Sequence, residues 1–340
     1  MKEIPSIPFG RPWIANSERE AVQKVLEGHI LTHGAKCKEF EDAFTQFVGG
    51  DACCLAVSSC MSALHLAYLQ MGIGLGDEVI VPAQTHTATV HAVELVGATP
   101  IFVDCDLQTG NMNCERIEAA ITINTKAIGL VHFLGVPCDM DQIFHIADQH
   151  QLKIIEDCAL AVGARYKSKH VGLFGDVGCF SFYPVKHITT GEGGMFVTRH
   201  SDVGEQISKL RAFGVDRSHS ERNVPGKYDV VALGLNSRMS EMQAAMGCQQ
   251  LNKIDQILEL RTNNFMELKA RLSDINGISI LDADHPNKVN AHYCLSVLLH
   301  DDLKDYRDKI IAGLKEAGVG TSIYYPHPVP RLTYYKNKYG

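Results

Sequence analysis

Short apolar runs alternate with amphipathic segments from residue 53 to residue 197, and this alternation limits the chain to few folds. The apolar runs predict β-strands at residues 55–57, 78–81, 100–104, 127–132 and 153–157. Helical periodicity occupies the intervening residues 61–70, 87–96, 115–121 and 140–149. Short strands joined by helical crossovers are typical of a mostly parallel, doubly wound α/β sheet. Two further strands, at residues 179–182 and 194–198, have no helix between them, so we expect them to pair with each other.

The flanking segments indicate a two-part organisation. Residues 17–27 have the periodicity of a helix that ends at Gly28. Residues 203–272 are predicted to be mainly helical, apart from a polar loop at 217–227. The C-terminal strand–helix–strand pattern falls at residues 292–299, 303–317 and 320–325. We therefore expect a large domain over residues 1–250 and a smaller C-terminal α/β domain over residues 251–340.

Composition excludes several functional classes. The chain has 340 residues and a net charge of −7, which disfavours nucleic acid or an anionic membrane as its main partner. No apolar run approaches the ~20 residues that span a bilayer. Residues 1–5 lack the apolar core of a secretory signal, so a cytoplasmic location is expected. The 11 cysteines form no CxxC pair and the 16 histidines form no HExxH motif, so no metal site is predicted.

Lys186 is the residue whose surroundings point most directly to chemistry. An apolar run that includes Ser181 leads to this lysine, and a glycine-rich turn follows at residues 190–194. A lysine held partly unprotonated beside such a turn can form a Schiff base with an aldehyde cofactor. Asp157 ends an earlier buried-strand pattern, and an acid there can pair with a pyridinium nitrogen. These two residues are the minimal requirement for pyridoxal phosphate (PLP), although a solvated surface lysine is the commoner arrangement.

Two further groups are predicted to meet Asp157 where the parallel strands end, since ligands bind at that edge of open α/β sheets. Ser58 and Ser59 precede a helix, whose N-terminus could bind a phosphate or could simply be capped by serine. His86 lies at another junction between a strand and a helix. Its imidazole could stack on a planar cofactor or could have its hydrogen bonds satisfied within the loop.

The chain resembles the DegT/DnrJ/EryC1/StrS family of PLP-dependent sugar aminotransferases, and the resemblance covers almost its whole length. The matching motifs fall, in order, at residues 7–10, 31–34, 39–41, 58–59, 76–82, 97–104, 155–157, 179–186, 190–194 and 236–244. The resemblance implies the aspartate-aminotransferase-like fold, known as fold type I, with PLP as the cofactor and a homodimer that shares its active sites.

The resemblance also implies roles for individual residues. Lys186 would form the Schiff base with PLP, Asp157 would pair with the pyridinium nitrogen, and Asn236 would reach the phosphate from the second subunit. The expected cofactor-binding residues are Ser59, Cys60, Met61, His86, Asp157, Leu160, Ser181, Lys186 and Asn236. The expected substrate-binding residues are Thr32, His33, His187 and Tyr325. Lys186 and Asp157 are the expected catalytic residues.

Several positions depart from the family's pattern. Cys60 and Met61 replace a glycine and a threonine, which removes a phosphate-binding hydroxyl. Leu160 stands where glutamine or histidine is common, and His187 replaces a frequent asparagine. Family members normally continue through a further helix and strand beyond the position of Gly340, so an incomplete small domain is expected.

The implied activity is transfer of an amino group from glutamate or glutamine to a keto-sugar, most simply a nucleotide-linked one. An unactivated keto-sugar, such as an 8-oxo octulosonic acid or an inosose, stays open, and the loop at 217–227 would contribute to that choice. Related sugar 3-dehydratases carry histidine in place of the lysine, so Lys186 favours transfer. A regulatory homologue without catalysis is a further alternative. An NAD-dependent dehydrogenase is disfavoured because no strand is followed by GxGxxG.

Overall fold

A computed structural model describes residues 6–216, 224, 227–282, 285–300 and 302–340. Its strands are β1 (Cys53–Val57), β2 (Glu78–Pro82), β3 (Thr99–Val103), β4 (Thr125–Val131), β5 (Lys153–Asp157), β6 (Arg165–Tyr166), β7 (Lys169–His170), β8 (Val177–Ser181), β9 (Gly194–Thr198), β10 (Ile278–Ile280), β11 (Lys288–Val289) and β12 (Val297–Leu299). Its helices are α1 (Asn16–Leu26), α2 (Ala35–Val48), α3 (Cys60–Gln70), α4 (Thr87–Leu95), α5 (Cys114–Ala120), α6 (Met140–His150), α7 (Ser201–Leu210), α8 (Glu241–Leu251), α9 (Ile254–Leu272), α10 (Arg307–Glu316) and α11 (Thr333–Tyr339). Within the described residues, no helix is both long enough and apolar enough to cross a bilayer.

Seven strands form one large sheet in the order β1-β9-β8-β5-β4-β2-β3. β9 is antiparallel to both of its neighbours, and the other adjacent strands run parallel. The predicted mostly parallel, doubly wound α/β fold is therefore confirmed. The predicted pairing of residues 179–182 with residues 194–198 is also confirmed, since β8 and β9 are antiparallel neighbours with Ser181 opposite Gly194.

The strands of the large sheet are apolar because helices cover both of its faces. Helices α3, α4 and α7 pack on one face, and α2, α5, α6 and α8 pack on the other. Successive residues of a strand point to opposite faces. Leu55 and Val57 accordingly join the first layer, whereas Cys54 and Ala56 join the second. Burial on both faces leaves the strand ends as the accessible places for polar chemistry.

The C-terminal half matches its predictions less closely. α7, α8 and α9 confirm the helical character of residues 203–272, but the described residues between α7 and α8 contain no helix. The prediction of a strand at residues 320–325 is wrong, and β12 begins only at Val297. Residues 320–325 include the aromatic and β-branched side chains that strands favour, yet residues 320–323 are exposed and only Tyr324 and Tyr325 contact rings of other elements. Tyr324, for example, lies 5.8 Å from the ring centres of both Phe9 and Tyr293. The division at residue 250 stays a prediction.

Candidate active site

Asp157 ends β5 at the carboxyl edge of the sheet and is 5% exposed. Its Oδ2 atom accepts a hydrogen bond from the Thr89 hydroxyl at 2.8 Å, and its Oδ1 atom accepts one from the Ala159 amide at 3.0 Å. The Thr89 hydroxyl also lies 2.8 Å from the Thr85 hydroxyl, and both threonines are buried. These donors hold the carboxylate in one orientation. Sequence reasoning missed Thr89, whose position at the start of the helix after a predicted strand end was the available signal.

The neighbouring Glu156 has a structural role on the other side of β5. Its carboxylate is fully buried and accepts hydrogen bonds from three amides of the loop 172–175 at 2.7–2.8 Å. His132 donates from Nε2 to this carboxylate at 2.9 Å and accepts at Nδ1 from the Cys138 amide at 3.1 Å. Cys158 brings a third potential metal ligand within 4.8 Å. Because the imidazole and carboxylate already have protein partners, we interpret this cluster as support for the loop.

Lys186 lies partly buried in the turn that joins β8 to β9. Its Nζ atom is 5.2 Å from the centre of the Tyr293 ring. Burial lowers the pKa of Lys186, because an ammonium group removed from water loses its hydration. The nearby carboxylate of Asp157 acts in the opposite direction and does not offset the burial. The site therefore favours the neutral amine more than water does.

The start of α3 lies directly beside the strand pair that carries Ser181. Ser59 caps the helix by accepting a hydrogen bond from the Ser62 amide at 3.1 Å. A Cβ atom on Gly194 would lie 2.5 Å from the carbonyl carbon of Ser59 and 2.6 Å from the amide nitrogen of Cys60. Only glycine permits this approach. Since Ser181 is paired with Gly194, its hydroxyl and the first amides of α3 are brought to one place, as a phosphate site requires.

The three residues near the cofactor site that depart from the family pattern, Cys60, Met61 and Leu160, are buried or partly buried. The Cys60 side chain is buried, with its Sγ atom 3.4 Å from the Cys179 carbonyl oxygen and 3.7 Å from Oδ1 of Asp157. Burial raises the pKa of the Cys60 thiol well above its usual value, so the group is a neutral, weak donor. Met61 is partly buried on the first turn of α3, and Leu160 belongs to a buried apolar cluster. The backbone amides of α3 remain available for a phosphate.

His86 and Tyr325 lie together at the mouth of the site. His86 is exposed and caps α4, where its Nδ1 atom accepts a hydrogen bond from the Ala88 amide at 3.1 Å. Its ring centre is 5.7 Å from that of Tyr325. The Gln84 side chain donates to the Tyr324 carbonyl at 3.0 Å and so ties the C-terminal segment to the loop before α4. This contact between distant segments places Tyr325 beside His86, the residue predicted to stack on the cofactor ring.

Three other predicted residues lie at the surface. Thr32 and His33 are exposed, and Nε2 of His33 accepts a hydrogen bond from the Arg238 guanidinium at 3.0 Å. Asn236 is also exposed, two residues before Arg238. Its contact with a cofactor in a second subunit stays a prediction. Most of the loop 217–227, predicted to influence substrate choice, lies outside the described residues.

His187 is buried beside Lys186 rather than exposed to a substrate mouth. Its Nε2 atom donates to the Ala291 carbonyl at 2.9 Å, and its Nδ1 atom has no hydrogen-bond partner among the described residues. Burial lowers the pKa of His187 well below its usual value, so the ring is neutral. Its predicted role in substrate binding stays a prediction.

These groups together fit PLP. A desolvated amine at Lys186, a buried carboxylate at Asp157 and a glycine-lined helix N-terminus beside Ser181 match the aldehyde, the pyridine nitrogen and the phosphate. These groups come from β5, β8, the turn after β8 and α3, which meet at the carboxyl edge of the sheet.

Comparison with known proteins supports the same assignment. A sequence profile of the DegT/DnrJ/EryC1/StrS aminotransferase family matches residues 12–340. The chain is 36% identical to GDP-perosamine synthase of Caulobacter vibrioides, covering 97% of this chain and 88% of that protein. It is also 36% identical to the spore coat polysaccharide biosynthesis protein SpsC of Bacillus subtilis, covering 98% and 86%.

A solved structure extends the likeness to three dimensions. Spr1654 of Streptococcus pneumoniae, in its pyridoxamine phosphate (PMP) form, superposes with a TM-score of 0.93 at 28% identity, covering 98% of this chain and 89% of that one. The PLP form of the same protein superposes with a TM-score of 0.92. The fold type I prediction is confirmed by this agreement. The chain belongs to the DegT/DnrJ/EryC1/StrS aminotransferase family and is a PLP-dependent transaminase.

Proposed function

We propose that this transaminase moves an amino group from glutamate or glutamine to a keto-sugar, most simply a nucleotide-linked one, in amino-sugar biosynthesis. The observation that carries the proposal is the placement of Lys186, with a pKa lowered by burial, near the buried carboxylate of Asp157. Transfer of an amino group requires a base that can accept and release a proton. It also requires a cofactor ring whose protonated nitrogen is stabilised by an acidic group. These two residues supply both requirements.

Asp157 acts on the cofactor ring from the end of β5. Bound PLP supplies an electron-poor ring that stabilises negative charge at the carbon next to the transferred nitrogen. Asp157 favours that state by holding a proton on the ring nitrogen, because a buried carboxylate attracts an N–H⁺ group strongly. Thr89 and Ala159 each donate one hydrogen bond to it, which leaves further lone pairs for the ring nitrogen.

Lys186 carries the proton in each half of the reaction. Its Nζ atom must be neutral to accept a proton, and an exposed lysine with a pKa of 10.5 is almost fully charged at neutral pH. Burial lowers this pKa and so raises the fraction of neutral amine. The Nζ atom lies 5.2 Å from the centre of the Tyr293 ring, within the distance at which an aromatic face attracts its protonated form.

The substrate class rests on the relatives. One relative is named for a GDP-linked product and another for polysaccharide biosynthesis, which supports a nucleotide-linked keto-sugar for this chain. Lysine rather than histidine at position 186 supports transfer over sugar dehydration. Lys186 and Asp157, the pair that a PLP enzyme needs, are both present, which weighs against a regulatory homologue. An unactivated keto-sugar stays the alternative substrate.

A homodimer is part of the proposal. Asn236 is exposed, and an apolar patch surrounds its segment: Phe213, Val230, Val231 and Leu233 are 49–84% exposed. Apolar residues clustered on a surface are typical of a protein interface. A second copy of the chain at this patch would bury them and would bring Asn236 toward the neighbouring site.

The absorbance spectrum of the purified protein with added PLP, before and after glutamate or glutamine, tests the proposal. We expect a band near the visible edge that one of the two donors bleaches and that a keto-sugar restores. Lys186→Ala should not form the band of the lysine Schiff base, whereas Lys126→Ala, at an exposed lysine, should behave as wild type. A stable band that neither donor changes would refute amino transfer.

A further inference from the structure

Tyr293 brings an aromatic face to Lys186 from the C-terminal part of the chain. It lies between β11 and β12, is 3% exposed, and has its ring centre 5.2 Å from the Nζ atom of Lys186. An aromatic face attracts an ammonium group within about 6 Å, most strongly where both groups are removed from water. It has no comparable attraction for a neutral amine. The ring therefore distinguishes between the two protonation states that Lys186 adopts during proton transfer.

The ring is fixed in place by hydrogen bonds at both ends of the residue. The Tyr293 amide donates to the Leu134 carbonyl at 3.3 Å, and the Tyr293 carbonyl accepts from Nη1 of Arg261 at 2.6 Å. Its hydroxyl lies 2.8 Å from the Tyr324 hydroxyl. The His187 ring packs beside it, with the two ring centres 5.8 Å apart. A side chain held by its backbone, its hydroxyl and its neighbours keeps one orientation.

Few charged groups near Lys186 can balance an ammonium. Among the described residues, Asp157 is the carboxylate that acts on Lys186, and in the proposed function it pairs with the nitrogen of the cofactor ring. The thiols of Cys60 and Cys294 are also close to Lys186. Burial raises the pKa of Cys294 to about 12 and that of Cys60 well above its usual value, so both thiols are neutral. Neither of them balances a positive charge.

The cavity that Lys186 borders adds no negative charge. It has a volume of about 350 Å³, and its lining includes His187, Arg11 and Arg261. Among the described residues that line it, no aspartate or glutamate occurs. Burial lowers the pKa of His187 well below its usual value, so this ring is neutral. The face of Tyr293 is therefore left to favour the charged amine once the carboxylate at the end of β5 is paired.

We propose that Tyr293 is a positioning residue, whose ring face holds the protonated Nζ atom of Lys186 between the two proton transfers of each half-reaction. The inference rests on the proposed amino transfer. In that reaction Nζ takes a proton from one carbon, whose C–H electron pair stays behind, and the new ammonium then returns a proton to a second carbon. Burial alone favours loss of this proton to water, and the attraction of the ring opposes that loss. Tyr293 thus keeps the proton on Lys186 without itself exchanging one.

Competitive labelling measures the proton affinity of Lys186 directly. The full-length protein is loaded with pyridoxamine phosphate, which leaves the Lys186 amine free, and is treated with acetic anhydride over a series of pH values. Mass spectrometry of the peptide that contains Lys186 gives the fraction of reactive, neutral amine at each pH. Tyr293→Leu removes the ring and keeps the site apolar, whereas Tyr293→Phe keeps the ring and loses only the hydroxyl. Tyr334→Leu is the matched control, since the exposed Tyr334 ring lies 5.9 Å from Nζ of Lys338.

We expect Tyr293→Leu to lower the proton affinity of Lys186 by about 5- to 30-fold, as for loss of a desolvated contact between a cation and a ring. Tyr293→Phe should stay within about twofold of wild type, and Tyr334→Leu should leave Lys186 unchanged. Pentafluorophenylalanine in place of Tyr293 keeps the shape of the ring but removes the negative charge from its face, so it should act like Tyr293→Leu. This variant decides the question if Tyr293→Leu does not fold. The donor half-reaction, followed at the PLP band, should slow in the same two variants.

A proton affinity of Lys186 within about twofold of wild type in the folded Tyr293→Leu and fluorinated proteins would overturn the inference. A rise on removal of the ring would also overturn it, since Tyr293 would then act only by excluding water. If a donor bleaches the PLP band in either case, amino transfer stands. If the proton affinity falls as expected but neither glutamate nor glutamine bleaches the PLP band of wild type, amino transfer fails while the contact between ring and amine stands.

Discussion

The hydrogen bond from Thr89 to Asp157 offers a direct test of how the catalytic carboxylate is held. Thr89→Val removes the hydroxyl and keeps the branched shape of the side chain. The hydroxyl donates to Oδ2 of Asp157 at 2.8 Å, and Thr89 is 0% exposed, so water cannot replace the lost donor without rearrangement. The carboxylate would keep the Ala159 amide as a donor. The substitution therefore removes two hydrogen bonds of the Thr89 hydroxyl, the charge-assisted one to Asp157 and the neutral one shared with Thr85.

The expected magnitude follows from the charge of the acceptor. Hydrogen bonds to charged groups contribute about 1.5–3 kcal/mol to stability, whereas neutral ones contribute about 0.5–1.5 kcal/mol. Thr89→Val removes one hydrogen bond of each kind and should therefore lower the free energy of unfolding of the PLP-free protein by about 2–4.5 kcal/mol. Thr85→Val removes the neutral hydrogen bond between the two hydroxyls, 2.8 Å apart, and should cost about 0.5–1.5 kcal/mol.

Urea unfolding followed by circular dichroism at neutral pH measures these differences. Thr87→Val is the matched control, since Thr87 lies on the same helix and makes no hydrogen bond with the described residues. The double variant Thr85→Val, Thr89→Val completes a cycle, in which coupling between the two sites is expected because they share one hydrogen bond. A Thr89→Val protein within about 0.5 kcal/mol of the Thr87→Val control would refute the reasoning. It would mean that Asp157 is not held by Thr89.

Three further results are expected. For Lys186, whose pKa is lowered on folding from 10.5, the unfolded chain binds more protons between the two pKa values, so the contribution of Lys186 to the stability of the PLP-free protein should rise with pH up to about 10.5. Buried cysteines, whose pKa values are raised on folding, act in the opposite direction in both proteins, so urea unfolding should show the Lys186 contribution as a free-energy difference between wild type and Lys186→Met that shifts in favour of wild type as pH rises; a difference independent of pH would contradict it. Gly194→Ala would press a Cβ atom onto the backbone of Ser59 and Cys60, so PLP titration should show affinity reduced by at least about tenfold; Gly313→Ala, which meets no atom within 4 Å, should bind normally. The buried, neutral Cys60 thiol should resist iodoacetamide in the native protein, and rapid modification detected by mass spectrometry would contradict its placement.

The residues that sequence reasoning found are those whose neighbours along the chain reveal their role. Asp157 and Ser181 end apolar runs, and Lys186 lies before a glycine-rich turn, so local pattern is sufficient to assign each of them to the edge of the sheet. The pairing of β8 with β9 was also predicted, because the sequence has no helical pattern between these two strands. Residues 320–325 were assigned wrongly, since propensity for a strand cannot supply the partner edge that a strand needs.

Local pattern thus determined the sheet, the ends of its strands and the identity of the lysine and the acid, because side-chain alternation and helix periodicity are written in neighbouring residues. Tertiary structure alone decided what surrounds them. Thr89 meets Asp157 across 68 positions of the chain, and Arg11 and Arg261, which line one cavity, are about 250 positions apart. Contacts between residues so far apart arise from packing, which no local periodicity encodes. The environment that lowers the pKa of Lys186 depends on the same packing, because burial is a property of the folded chain.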